Sequence, residues 1–305
     1  MIIKEALKLA ISEFNKKNIN CPALEAEILL SHILKKTREF LLTHPNKKIS
    51  QNQIVKFKDL AGRRKKGEPI AYLIGSKEFY GLDFIVNKNT LIPRPETESM
   101  VEETMNLISQ ISYRKSRAKE CITLIDVGTG SGCIVITLAK LLKLRITNYE
   151  LFAIDISKQA LTIAKKNAKL HKVGKKIKFL QGNLLEPILK NKKLKIKNQK
   201  LMILSNLPYG WKEWKNNCSM ETVGLKFEPA IALFTEKNGL KLYEDLFKQV
   251  NELVKFKPLS LDLLCEFDPR QTSLMKELIK KYFPQAKLQI KKDLAGRNRL
   301  AIIKV

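Results

Sequence analysis

The stretch Leu124-Ile125-Asp126-Val127-Gly128-Thr129-Gly130-Ser131-Gly132, followed by an apolar pattern over 133–144, decides the fold class. An apolar run that closes on an acid, then glycines at alternate positions, then a helical pattern predicts strand, tight turn and helix. Such glycines let the backbone approach a ligand closely, and the helix N-terminus presents free N–H groups beneath it. Alone, these residues indicate a nucleotide-like ligand. A dinucleotide fingerprint would place its third glycine at position 133, where the chain has Cys133, and this disfavours a dehydrogenase.

Downstream of the loop, strand and helix patterns alternate, which predicts an α/β fold with a mostly parallel sheet. A second strand over 151–155 ends in Asp155, Ser157 can cap the next helix, and Gly174 can end it. A third strand over 177–180 leads into Gln181-Gly182-Asn183, and a fourth over 201–205 runs directly into Asn206-Leu207-Pro208-Tyr209. The lysine run over 190–200 reads as a solvated loop. A helix over 240–254, a strand over 259–267 and a helix over 272–282 follow. Two short strands, 288–291 and 299–305, then flank Asp293-Leu294-Ala295-Gly296-Arg297-Asn298.

Upstream, Ile3, Leu7, Ile11 and Phe14 fall on one helical face, and Pro22 opens a second helix. Ser50 and Gln53 have capping-box spacing ahead of Ile54, Phe57 and Leu60. These patterns predict a small helical bundle over 1–75. Residues 78–86 turn aromatic and β-branched and read as a hairpin. In Leu91-Ile92-Pro93-Arg94-Pro95-Glu96-Thr97-Glu98, two prolines flank an arginine and stiffen the connection. Arg94 and Glu96 either close over a cofactor or pin this linker. A helix carrying Val101, Met105 and Ile108 and a basic segment over 113–119 complete the approach to the glycine loop.

The 305 residues suffice for one large α/β domain and a smaller one. A net charge of +27 implies either polyanion contact or a lysine-rich composition spread over the surface. Lysine is scattered along the whole chain, which favours composition, and contact with a ribosome or RNA stays compatible. Cys21, Cys121, Cys133, Cys218 and Cys265 are far apart and mostly within apolar runs, as reduced core residues are. His32, His44 and His171 lack ligand spacing, so no metal is expected. Glu5 and Glu13 on a helical pattern argue against a signal peptide, and no apolar run approaches the roughly 18 residues of a membrane span. The expectation is a cytoplasmic monomer with no membrane partner.

In an open α/β sheet, ligands sit outside the carboxyl ends of the strands. Asp155 ends the second strand there, 25 residues beyond Gly130, and can accept ribose hydroxyls. Asn183 follows the third, where an adenine amino group would be read. Asn206 ends the fourth. Asn-x-Pro-Tyr suits a planar nitrogen bearing two hydrogens: the Asn206 side-chain oxygen accepts one N–H and the Leu207 carbonyl accepts the other. Pro208 holds Leu207 extended, and the Tyr209 ring packs on the flat group. Amide and aminopurine nitrogens are weak nucleophiles, and two acceptors can orient the lone pair toward the methyl of a sulfonium. Trp211 and Trp214 follow and can wall a substrate channel or simply pack.

The spacing Gly-x-Gly-x-Gly with an acid two residues ahead is similar to the S-adenosylmethionine (AdoMet) loop of class I methyltransferases. Nearly the whole chain resembles the HemK/PrmC-type protein-(glutamine-N5) methyltransferases. The carrying stretches are Gly67-Glu68-Pro69-Ile70-Ala71-Tyr72-Leu73-Ile74-Gly75 with Glu78-Phe79-Tyr80-Gly81, the Leu91–Glu98 linker, the glycine loop and the Asn206 tetrapeptide. Phe227-Glu228-Pro229-Ala230-Ile231-Ala232-Leu233 with Gly239-Leu240, and Asp293-Leu294-Ala295-Gly296-Arg297, complete the set. The resemblance implies a Rossmann-like class I methyltransferase domain over 99–305 with a seven-stranded mostly parallel sheet. It also implies a hairpin and linker over 76–98 and a release-factor docking domain over 1–75. Asp126, Gly128, Thr129, Gly130, Ser131, Gly132, Asp155, Asn183 and Asn206 would hold AdoMet, with S-adenosylhomocysteine as product. Asn206, Leu207, Pro208 and Tyr209 would hold the glutamine of a Gly-Gly-Gln loop in class-one peptide chain release factors.

Two positions depart from the family pattern: Leu207 stands where proline is usual, and Asn183 where aspartate is usual. An Asn oxygen still accepts a hydrogen bond, without the charge. Asn-Leu-Pro-Tyr also resembles the motif of ribosomal RNA adenine-N6 dimethyltransferases, but those carry their extra domain after the sheet rather than before it. A methyltransferase fold turned binding module would show a broken glycine loop or no acceptor at 206, and neither departure occurs.

Overall fold

The computed structural model describes residues 1–113, 121–142, 148–191, 200–211, 222–255 and 260–305. The basic segment over 113–119 and the lysine run over 190–200 fall mostly outside these, as do Trp214 and Cys218 entirely. The chain divides into two compact units, Met1–Ser76 with Ser219–Phe227, and Lys77–Cys218 with Glu228–Val305.

In the first unit, α1 (Ile3–Asn15) buries Ile3, Ala6, Ala10 and Phe14. Pro22 opens α2 (Pro22–Leu34), where its missing N–H costs no helical bond. Two short helices, α3 (Arg38–Thr43) and α5 (Ile70–Ile74), have no counterpart in the sequence reading, because one or two turns give no measurable period. Between them, α4 (Gln51–Lys65) starts with the capping box read from spacing. The Ser50 hydroxyl accepts the Gln53 N–H at 3.3 Å, and Gln53 Oε1 accepts the Ser50 N–H at 3.1 Å. Phe14, Leu29, Leu30, Phe57 and Leu73 share one core.

The second unit begins with the hairpin of β1 (Ser76–Phe79) and β2 (Leu82–Ile85). Tyr80 and Gly81 both take positive φ, 53° and 71°, the tight turn whose twist matches that of the paired strands. After α6 (Glu98–Tyr113), the sheet strands are β3 (Ile122–Val127), β4 (Tyr149–Asp155), β5 (Ile177–Gln181), β6 (Lys200–Ser205), β7 (Ser260–Glu266), β8 (Lys287–Lys292) and β9 (Asn298–Lys304). Their order is β5-β4-β3-β6-β7-β9-β8. Strands β3 to β7 pair in parallel, and β9 runs antiparallel to both of its neighbours.

Every residue of β3 and β6 is buried, because helices cover both faces of the sheet. That explains why these strands read as unbroken apolar runs rather than alternating ones. On one face pack Met100, Val101 and Ile108 of α6 and Ile134, Leu138 and Leu142 of α7 (Cys133–Leu142). On the other pack Tyr243, Leu246, Phe247 and Val250 of the helix Lys241–Lys255 and Met275 and Ile279 of the helix Thr272–Tyr282. Successive strands leave β3 in opposite directions, β4 to one side and β6 to the other. This switch point opens a crevice at their carboxyl ends.

Two expectations are corrected. Helix α8 (Lys158–Leu170) stops short of Gly174, which instead begins a 3-10 turn, Gly174–Lys176. His171 draws the chain away, its Nε2 bonded to the Asp83 carbonyl at 2.8 Å and its ring 5.0 Å from that of Phe84. Cys133 and Cys265 are core thiols, whereas Cys121 is half-buried and Cys21 is exposed just ahead of α2. No helix among the described residues is long and apolar enough to cross a membrane.

Candidate active site

The loop after β3 is left-handed at each glycine: φ is 75° at Gly128, 57° at Gly130 and 83° at Gly132. Its backbone is tied to β4, since the Gly128 and Thr129 N–H groups both donate to the Ile154 carbonyl at 2.9 Å. The Thr129 hydroxyl donates to Asp126 Oδ2 at 2.6 Å, and Asp126, Thr129 and Ser131 are all buried. Burial pushes the Asp126 carboxyl up to about 7, and the nearby Asp155 carboxylate adds to the rise.

Asp155, at the end of β4, accepts the Gly130 N–H on Oδ2 and the Ser157 N–H on Oδ1, each at 2.8 Å. Burial raises its pKa and these two amides oppose the rise. Each oxygen keeps a second lone pair for a ligand hydroxyl. A Cβ on Gly130 would meet nothing nearer than the Gly128 carbonyl oxygen, 3.9 Å away. The backbone there borders open space. A Cβ on Gly132 would lie 2.7 Å from Ile136 Cδ1 and 3.2 Å from Ala164 Cβ, so that glycine serves helix packing.

Asn183, half-buried after β5, donates from Nδ2 to Glu186 Oε1 at 3.4 Å. The loop it belongs to is fixed to β4 by the Gly182 N–H on the Asp155 carbonyl at 3.1 Å.

The second half of the site follows β6. Asn206 donates from Nδ2 to Thr97 Oγ1 at 3.0 Å. Among the described residues, no donor reaches Asn206 Oδ1 or the Leu207 carbonyl. The Leu207 side chain is buried beside Gly128, where an added Cβ would come within 3.1 Å of its Cδ2. Its N–H donates to the buried Tyr243 hydroxyl at 3.4 Å, which also contacts the Ser205 carbonyl at 3.1 Å and the Glu266 carbonyl. Proline, usual in the family at position 207, has no N–H to offer. Leucine gains an anchor that proline lacks.

Beyond Pro208, the Tyr209 carbonyl accepts from Gln271 Nε2 at 2.9 Å, and the same nitrogen donates to the Asn238 carbonyl at 2.6 Å. The Gly210 N–H donates to the Leu233 carbonyl at 2.8 Å, and its own carbonyl accepts the Thr235 N–H at 2.9 Å. Trp211 lies against the Arg270 guanidinium, 4.9 Å away. Arg94 pins the linker: its Nη2 donates to Glu228 Oε1 at 2.5 Å, while Glu228 Oε2 accepts the Ile92 N–H at 3.0 Å.

Four residues of this site escaped the sequence reading. Asn167, fully buried, accepts the Ile85 N–H at 2.8 Å and donates to the Ile85 and Ser131 carbonyls at 3.0 and 2.9 Å. It joins the hairpin to the glycine loop. Its signal is a polar residue on the apolar stripe of α8, in register with Ala160, Ile163 and Ala164. Thr97 and Glu266 are buried beside Asn206 and Tyr209, and Gln271 beneath them is equally buried. Burial pushes the Glu266 carboxyl up to about 7, and its Oε1 has no hydrogen-bond partner among the described residues. An acid closing an apolar strand run was its available signal.

The sheet order, the single antiparallel strand and the glycine loop at the switch point define a class I methyltransferase fold. A methyltransferase-domain family model matches residues 118–230. The hMettl16 catalytic domain, solved in complex with a MAT2A 3′UTR hairpin, shares the fold at a TM-score of 0.53 and 16% identity, over 84% of this chain and 81% of that one. The PrmC N-terminal domain model matches residues 5–75. The chain belongs to the release factor glutamine methyltransferase family. It is 34% identical to the Bacillus subtilis member over 97% of this chain and 96% of that protein. It is 36% identical to the Enterococcus faecalis member over 86% and 84%. It is also 38% identical to the bifunctional methyltransferase of Rickettsia prowazekii, but the match spans only 48% of that longer protein.

Proposed function

We propose that this chain transfers a methyl group from AdoMet to the side-chain amide nitrogen of the glutamine in the Gly-Gly-Gln loop of class-one release factors. The observation that carries this reading is a pair of acceptors, Asn206 Oδ1 and the Leu207 carbonyl, that no donor among the described residues reaches, at the switch point shared with the glycine loop. The open space at Gly130 and the remaining lone pairs of Asp155 fit a nucleoside with vicinal hydroxyls. Gly128 to Gly132, Asp155 and Asn183 would hold AdoMet, which supplies a sulfonium-bound methyl and leaves as S-adenosylhomocysteine.

Asn206 Oδ1 accepts one amide N–H and the Leu207 carbonyl the other. With both hydrogens held, the nitrogen lone pair is turned out of amide resonance toward the electrophile. Nitrogen gains the methyl and loses one proton, which passes to water because a methylated amide nitrogen is strongly acidic. No protein base is needed. Tyr209 flanks the planar amide, and residues 1–75 dock the release factor. We take the working form to be a cytoplasmic monomer, with the lysine-rich surface giving at most a salt-sensitive contact to the ribosome.

The test offers labelled AdoMet and three acceptors: a purified release factor, the same factor with its loop glutamine changed to alanine, and naked ribosomal RNA. Label on the first alone supports the proposal. Label on RNA alone overturns it in favour of adenine methylation.

The glycines separate cofactor binding from stability. Gly130→Ala meets only the Gly128 carbonyl oxygen, at an unstrained 3.9 Å, and carries only the left-handed backbone cost of about 1–2 kcal/mol. Its methyl nevertheless enters the ligand's space, and calorimetry is expected to show AdoMet affinity falling about tenfold or more. Gly132→Ala adds an overpacking cost of about 1–3 kcal/mol and should lower the denaturant midpoint further than Gly130→Ala.

A further inference from the structure

The Leu207 carbonyl is aimed by the two backbone torsions of its own residue. Pro208 holds ψ of Leu207 extended, but φ of a leucine ranges over the whole β region, about −60° to −160°. Proline, usual in the family at position 207, would lock that angle near about −65° with its ring. Leucine has no ring to do so. Over a swing of roughly 100° the carbonyl oxygen leaves hydrogen-bonding reach of a fixed substrate N–H. Something else must hold the angle.

Two contacts grip the bond about which φ turns, one at each end. On the nitrogen side, the Leu207 N–H donates to the Tyr243 hydroxyl at 3.4 Å. Beyond Cα, the Leu207 side chain is 3% exposed and packs on the bare face of Gly128, where an added Cβ would come within 3.1 Å of Cδ2. With the peptide plane held on one side and Cβ on the other, φ is held between them. The hydroxyl is a stationary partner. Tyr243 is fully buried, with its ring 6.2 Å from that of Phe247. Its oxygen also reaches the carbonyls of Ser205, at 3.1 Å, and Glu266, the last residues of β6 and β7. A carbonyl cannot donate, so whichever of the two takes the hydroxyl proton, a hydroxyl lone pair stays open to the Leu207 N–H.

We propose that Tyr243 is a positioning residue for methyl transfer: its hydroxyl, by holding the Leu207 N–H, fixes the direction of the Leu207 carbonyl and so does the work of the proline ring that this chain lacks. The inference rests on the glutamine reading given above. Tyr243 touches neither substrate nor reacting atoms and acts only through Leu207. Its bonds to the Ser205 and Glu266 carbonyls tie the ends of two strands together, a structural role that does not depend on which residue stands at 207. The bond to the Leu207 N–H does depend on it, and that difference separates the two roles.

The test is a double-mutant cycle of Tyr243→Phe and Leu207→Pro. It reads kcat and KM for methyl transfer to a purified release factor, AdoMet affinity by calorimetry and stability by denaturant unfolding. Tyr243→Phe keeps the ring and deletes the hydroxyl. Leu207→Pro deletes the N–H and supplies the ring. In the otherwise wild-type chain, Tyr243→Phe is expected to lower kcat about five- to fiftyfold, with KM for the release factor and AdoMet affinity within about twofold. Leu207→Pro gives up the packing beside Gly128, so its own kcat shifts, yet turnover stays measurable. Adding Tyr243→Phe to it then changes kcat by less than about twofold, although stability falls in both backgrounds because the two strand-end carbonyls lose their donor. The proposal is overturned if Tyr243→Phe alone retains wild-type kcat, or if it lowers kcat equally in both backgrounds, which would leave the hydroxyl a purely structural group. A Leu207→Pro chain without turnover also overturns it, since the ring then fails to do the hydroxyl's work. A wild type that leaves the release factor unlabelled instead sinks the glutamine reading, so the two failures are distinct.

Discussion

Asn206→Ala lowers kcat for the release-factor glutamine by about a hundred- to a thousandfold, while AdoMet affinity changes by less than about threefold. The magnitude is that of deleting one preorganised hydrogen-bond partner of a transition state. The substitution removes Oδ1, the side-chain member of the acceptor pair, and leaves the Leu207 carbonyl to hold the amide alone. One acceptor still binds a glutamine N–H, but it does not set the direction of the nitrogen lone pair. The loss therefore falls on kcat rather than on KM. Thr97 Oγ1 also loses its donor at 3.0 Å, a cost that falls on stability and not on the cofactor cradle across the crevice. Steady-state kinetics with calorimetry checks the split. A variant with wild-type kcat would remove Asn206 from the chemistry.

Gly239→Ala is expected to be nearly as damaging, although Gly239 touches no reacting group. Its φ is +81°, and an added Cβ would stand 2.0 Å from the Tyr209 carbonyl oxygen and 2.3 Å from Gln271 Nε2. Neither neighbour is a flexible side-chain end. One is backbone, and the other is a buried amide bridging Tyr209 and Asn238. Left-handed strain of about 1–2 kcal/mol and overpacking of about 1–3 kcal/mol together lower stability by roughly 2–5 kcal/mol. Relief requires Tyr209 to move, and with it the loop that carries both acceptors. Denaturant unfolding and kcat should therefore fall together. A variant with an unchanged midpoint and unchanged kcat would show that Tyr209 is not held by this contact.

The strands and long helices of the second unit were readable because burial on both faces leaves an unbroken apolar run, as in Leu201 to Leu204, and long amphipathic helices leave a period. The helix Thr272–Tyr282 was placed to the residue. The short α3 and α5 left no such trace. Nor did the assignment of the short helix Thr222–Leu225 to the first unit, since that depends on tertiary packing far from it in sequence. At the site, the glycine loop, Asp155 and the Asn206 tetrapeptide were legible because each combines a special backbone need with an adjacent polar group. Thr97, Asn167 and Gln271 were not, because each acts on a neighbour that only the fold supplies. Arg94 was left between two roles by its sequence and is resolved by Glu228, whose side chain is 2% exposed and pairs with it across the sequence.

The most direct test of the account is a crystal structure of the chain with S-adenosylhomocysteine and a release-factor fragment containing its Gly-Gly-Gln loop. The account predicts the glutamine amide nitrogen within hydrogen-bonding distance of both Asn206 Oδ1 and the Leu207 carbonyl, with its remaining face toward the cofactor sulfur. A glutamine bound elsewhere, or an Asn206 turned so that Oδ1 faces Thr97, would contradict it.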